Sequence, residues 1–113
     1  MSDREKLGKL RHLSRLILDI SLMRLDRASL ARQRSIDGLA KLNCPDAPTD
    51  LNPVVAGEVA LRYQLWADQR RSAINLVLAR QTADWDDARQ DAVRAFGRAS
   101  VVKKLCDPGT SQD

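Results

Sequence analysis

Asn43-Cys44-Pro45-Asp46-Ala47-Pro48-Thr49-Asp50-Leu51-Asn52-Pro53 gathers three of the four prolines of this 113-residue chain into nine positions. Each proline fixes φ and withholds a backbone donor, and Asn and Asp favour turns, so the stretch cannot continue a helix and encodes a chain reversal. Its last two residues also start something new. Asn52 followed by Pro53 is a helix N-cap with proline at the first helical position, which predicts a helix beginning near residue 53.

Downstream of this turn no proline occurs until Pro108. Ile74, Leu78, Gln81, Trp85, Ala88, Ala92, Ala95, Ala99 and Val102 alternate at spacings of three and four, the phase of a coiled-coil seam. The alanines in it let a second helix approach closely. The weakest point of this helix is residues 81–87 (QTADWDD), where Thr82 or Asp84 suits an N-cap and the acids suit a helix start. A break there would give a three-helix bundle. The heptad phase passes through undisturbed, which favours one continuous helix.

Upstream, ten of the nineteen positions from residue 7 to residue 25 are large and apolar, wider than one stripe, so this end of helix 1 expects more than one neighbour. Leu18, Leu22, Leu25, Ser29, Arg32, Ile36 and Leu39 are read as its seam toward helix 2. The expected fold is all-α, a long antiparallel two-helix coiled coil (an α-hairpin) in one domain. Helix 1 spans about 3–42, the turn 43–52, helix 2 about 53–105, and 106–113 is a disordered tail. Pairing back from the turn leaves about 10 residues of helix 2 beyond the start of helix 1, including Phe96, Val101, Val102 and Leu105.

Composition agrees with a helical protein: 43% apolar, 30% charged and 4% aromatic residues. The net charge of +4 is unevenly spread. Residues 1–34 carry nine Lys/Arg against four Asp/Glu, 35–69 two against five, and 70–105 eight against four, giving +5, −3 and +4. Folding back at the turn superposes the two basic segments, so a basic open end and an acidic tip are expected. No secretory pattern or membrane-spanning run is read at the N-terminus, because Asp19 and Arg24 interrupt its apolar stretch. A cytoplasmic location is the default expectation. Cys44 and Cys106 would sit at opposite ends of a hairpin, too far apart for a disulfide, and are expected as free thiols.

Catalysis finds no constellation to stand on. The single histidine, His12, lies among Lys9, Arg11 and Arg15, and neither a Gly-rich phosphate loop nor a metal-ligand cluster occurs in the sequence. The acids Asp84, Asp86, Asp87 and Asp91 are answered by Arg80, Arg89 and Arg94 at three- and four-residue spacings, the pattern of a solvated salt-bridged face. No cofactor and no metal are expected, and the chain is not read as an enzyme. Nucleic acid could meet the basic end, but base-stacking aromatics are scarce there and interleaved acids dilute the field, so no nucleic-acid partner is the preferred reading. Trp85 fits the seam, whereas Trp66 with Ala73 and Val77 forms a short face opposite residues 27–34 of helix 1, which offer little to cover it. Trp66 is therefore a candidate partner anchor.

A long helix, a short irregular turn and a longer helix with Tyr63-Gln64-Leu65-Trp66, Trp85, Arg94-Ala95-Phe96-Gly97-Arg98 and Lys103-Lys104-Leu105 resemble the FliJ/YscO family of bacterial type III export proteins. The resemblance covers most of the chain. It implies an antiparallel coiled coil, similar to the stalk of rotary ATP synthases, whose open end inserts into a hexameric export ATPase. The matching positions are Arg11, Arg15 and Leu18 with Arg94, Phe96 and Arg98. It further implies contact with a membrane export gate through Trp66, Arg70, Ala73 and Val77, with Arg70 departing from the apolar residue expected there. Export chaperones and a peripheral site at the inner face of the membrane belong to the same expectation. The alternatives are a helical adaptor that homodimerises through an exposed apolar seam, and a small basic nucleic-acid-associated protein.

Overall fold

The computed structural model describes residues 2–43 and 52–107. Two helices account for almost all of them, α1 over Asp3–Leu42 and α2 over Pro53–Cys106, and they form an antiparallel α-hairpin coiled coil. The expected turn residues 44–51, with Cys44, and the tail beyond Asp107 lie outside the described residues. α2 runs through residues 81–87 without a break, so the continuous helix is found and the three-helix bundle is not.

Each helix starts where its side chains can satisfy the orphan N–H groups of a first turn. Asn52 caps α2 as the Asn-Pro pair predicts: its Oδ1 accepts from the Val54 N–H at 3.0 Å while its carbonyl accepts from Ala56 at 2.8 Å. α1 opens on Ser2-Asp3-Arg4-Glu5, with Ser2 Oγ accepting from the Glu5 N–H at 3.3 Å. Acids in the first turn of α1 and lysines in the last turns of both helices suit the helix dipole.

The chain divides into two compact units, Met1–Ser29 with Asp84–Asp113, and Leu30–Ala83. In the first, Leu7 meets Cys106, whose Sγ donates to the Leu7 carbonyl at 3.5 Å, and Arg24 is paired with Asp91. Arg11 lies 3.9 Å from Asp107. In the second, Arg32 donates to Thr82 at 3.2 Å, Ser35 to Gln81, and Gly38 faces Ile74. Within each unit, a step forward on α1 is a step back on α2.

The seam of α2 lies where the heptad phase predicts: each of its positions from Ile74 to Val102 is buried or half-buried, with Ala88 fully so. The seam of α1 is different from the expected one. Its inward positions keep an unbroken three-four alternation through Leu7, Arg11, Ser14, Leu18, Ser21, Leu25, Ala28, Arg32, Ser35, Leu39 and Leu42. Leu22, expected in the seam, is 48% exposed, and Ser21 takes its place. Five of these eleven positions are Ser or Arg. Facing an alanine ridge, short side chains and long ones that keep their heads in water fit a closer interhelical space than a row of leucines would.

The expected overhang at the open end is absent. Leu105 and Cys106 line a groove with Arg4, Leu7, Gly8 and Arg11, and Val102 is buried. The excess length of α2 is instead at its start, where residues 53–62 are exposed apart from Ala56. The register is set by matching the two seams and by the Arg32–Thr82 and Ser35–Gln81 pairs, not by counting back from the turn.

The buried apolar side chains among the described residues are Leu42, Ala67, Ala88, Ala92, Ala95 and Val102. Four of the six are alanines, so little apolar area leaves water and the hairpin stands near the lower bound of what a small core can hold together. Cys106 carries a free thiol, and no helix among the described residues is long and apolar enough to cross a membrane.

Candidate partner-docking surfaces

The basic open end is built from both helices. Residues 2–18 and 94–107 carry nine Lys/Arg against Asp3, Glu5 and Asp107, a net of +6. Within this end Arg11, Arg15 and Leu18 of α1 and Phe96, Ala99, Ser100 and Lys103 of α2 line an open groove of about 310 Å³. Leu18 and Ala99 are seam positions that face each other, while Arg15 and Phe96 stand one position off the seam on their helices and so border the same side of the pair.

Phe96 is 64% exposed. The ring stands uncovered at the edge of the groove, and the three cations around it raise the local positive potential. The groove therefore collects four of the six residues expected at this end: Arg11, Arg15, Leu18 and Phe96. Arg94 and Arg98 are exposed but do not line it, and Arg94 donates to Asp91 at 3.3 Å, sharing that carboxylate with Arg24. Lys103 is the member that sequence reading passed over. It sits seven residues past Phe96, two helical turns on, and that spacing was the signal available.

The second set lies in the other unit. Arg70, Ala73 and Val77 of α2 line a groove of about 390 Å³ with Ala31, Arg34, Ser35 and Gly38 of α1. Gly38 leaves it open on the α1 side, since a methyl group there would fill the space to ordinary contact with Ile74, 3.7 Å away. Trp66 is not part of this lining. It is 53% exposed and leans on Tyr63 with ring centroids 5.8 Å apart. Residues 27–34 do not face Trp66 as expected, because Arg32 meets Thr82 and Arg34 borders the groove beside Val77 and Gln81. Trp66 stands on α2 between Tyr63, whose hydroxyl donates to the Leu42 carbonyl at 3.4 Å, and Arg71, which donates to Asn43 at 3.3 Å, with the exposed side chains of Leu61 and Leu65 near it in sequence.

Of the acids expected in a salt-bridged face, Asp86 and Asp91 are in ion pairs, with Arg89 and with Arg94 and Arg24. Arg89 lies 3.8 Å from Asp86 and its guanidinium covers the Trp85 ring at 5.7 Å, while Gln90 donates to Asp86 at 2.9 Å. Surface pairs of this kind contribute little to stability. Among the described residues no group of three His, Cys, Asp or Glu side chains is placed to hold a metal ion.

No protein-family model matches the chain, and no curated protein or solved structure does.

Proposed function

We propose that the chain is a non-catalytic stalk or escort protein of a bacterial flagellar-type protein export apparatus, linking the export ATPase to the membrane export gate. The observation that supports it is the open-end groove, in which Arg11, Arg15 and Lys103 surround Leu18 and the exposed Phe96. A rod end presented to a ring of equivalent subunits needs long-range charge complementarity and one apolar contact, and has no use for a deep unique pocket. The FliJ/YscO resemblance supplies the class of partner. Gate contact would use Trp66 and the Arg70, Ala73 and Val77 groove, export chaperones would be further partners, and the site of action would be the cytoplasmic face of the membrane.

Arg15→Glu together with Lys103→Glu tests the reading, because both side chains are exposed and neither is a seam residue. Co-precipitation of the export ATPase should be lost while the far-UV circular dichroism spectrum stays that of the parent. Undiminished co-precipitation overturns the open-end model.

A helical adaptor that homodimerises is the second reading, favoured by the small number of buried apolar side chains. Light scattering separates the two. A monomer at working concentration fits the stalk, and an obligate dimer that ignores the ATPase fits the adaptor.

A further inference from the structure

Leu10, Leu13, Leu16, Ile17, Ile20 and Met23 of α1 are all exposed, between 42% and 66%. At 100° per residue they occupy one face about 140° wide, outside the seam positions Ser14, Leu18 and Ser21 and with Leu10 and Ile17 along its edge nearest them. Arg11, Arg15 and Asp19 fall outside this face, so it is free of charge for about four turns, or roughly 20 Å. Its two ends are cationic: the same angular window holds Lys6 and Lys9 before it and Arg24 and Arg27 after it. Arg24 is engaged by Asp91, and Glu5 stands at the edge of the face near Lys9.

We infer that this face of α1 is a docking site for an amphipathic helix of another protein, apolar along its middle and acidic at both ends. Charge chooses among the occupants. A second copy of the chain laid antiparallel would set Lys6 and Lys9 against Arg24 and Arg27, and a parallel copy would set like cations against themselves, so both arrangements are repelled at their ends. An anionic bilayer calls for cations along the long edges of the apolar face, where they can reach the headgroups. Here an acid, Asp19, lies beside the long edge away from α2, and the α1 cations that share the face lie at its tips. A helix with anchors at three- and four-residue spacings and terminal acids satisfies both the apolar middle and the charged ends. This site is separate from the open-end groove and stands independently of the export reading.

The test uses the full chain and a fluorescent helical peptide with leucines at three-four spacings and glutamates at both ends, beside a version with lysines at the ends. Anisotropy should show binding of the glutamate-ended peptide. Binding should weaken at least about tenfold for the lysine-ended peptide, for Ile17→Asp with Ile20→Asp, and for Lys6→Glu with Lys9→Glu. Should the aspartate variant lose helicity by circular dichroism, the charge-reversal variant decides alone. Equal binding of the two peptides, or no loss in the charge-reversal variant, overturns the inference. It is equally overturned if the peptides do not bind while phosphatidylglycerol vesicles do, or while the parent self-associates and the variant does not.

Discussion

Ala88→Glu is expected to unfold the open-end unit. Ala88 is fully buried on the α2 ridge, between Trp85 and Ala92 in the seam, and its methyl group leaves no room for a longer side chain. A glutamate there must either carry an unpaired charge into the interface or push the helices apart, and the first outcome alone costs about 3–5 kcal/mol. Small domains hold about 5–15 kcal/mol in total, and this one, with alanines for most of its buried apolar side chains, belongs at the low end. Far-UV circular dichroism should show a large loss of helicity and of thermal midpoint. Ala79→Glu, on the same helix but exposed, should stay within about 0.5 kcal/mol of the parent. Equal effects of the two substitutions would mean that the alanine ridge is not the interface.

Ser35→Leu combined with Gln81→Leu should act in the opposite direction. Ser35 donates to Gln81 across the seam, and Arg32 bonds Thr82 one position away, so polar groups meet where a coiled coil normally places apolar ones. Both residues are half-buried. Replacing the pair together leaves no orphaned donor and adds apolar burial, for a gain of about 1–3 kcal/mol. Replacing Ser35 alone leaves Gln81 partly unsatisfied and should lower stability by about 1 kcal/mol. Thermal unfolding followed by circular dichroism measures both. The double variant should also lose precision of register, since the polar pairs fit in one alignment only and two leucines fit in several. A double variant no more stable than the parent would show that the polar pair is not opposed across the seam.

The α2 seam could be read from residue types because its ridge is simple: alanines at Ala88, Ala92, Ala95 and Ala99 between larger apolar residues, with one phase that fits. The start of α2 was equally legible, since Asn52 and Pro53 each have a narrow set of roles at a helix end. α1 resisted for a physical reason. Leucines are so dense between residues 7 and 25 that several helical phases look apolar, and the phase that pairs with α2 runs through Ser14, Ser21, Arg32 and Ser35. Hydrophobicity favours Leu22 for the seam, whereas space against the alanine ridge favours Ser21. The same error hid the register, and with it the position of the unpaired length of α2.

The docking surfaces were legible in part. The family resemblance grouped Arg11, Arg15, Leu18 and Phe96, and the structure adds that Lys103 comes to the same groove. That juxtaposition depends on register between residues 78 to 92 positions apart in the chain, which no local pattern encodes. Arg94 and Arg98 came with Phe96 through the run that carries the family resemblance, but a helix turns neighbours at two positions to opposite sides. Trp66 and Arg70 share a helix face by spacing, and the groove beside Arg70 depends on Arg34 and Gly38 of α1, again a matter of register.

Register is therefore what the open-end groove and the placement of the free length of α2 rest on, and a disulfide trap measures it directly. Leu7→Cys, with Cys44 changed to serine, puts a thiol beside the native Cys106, whose sulfur already lies 3.5 Å from the Leu7 carbonyl. Mild oxidation should give a monomer with faster mobility on a non-reducing gel, restored by reductant. If helix 2 instead projected about ten residues past the start of α1, Cys106 would stand roughly 15 Å beyond it, out of reach of a bond that needs Cα atoms about 4.4–6.8 Å apart. A variant that yields only disulfide-linked dimers, or no disulfide, would contradict the flush antiparallel pairing.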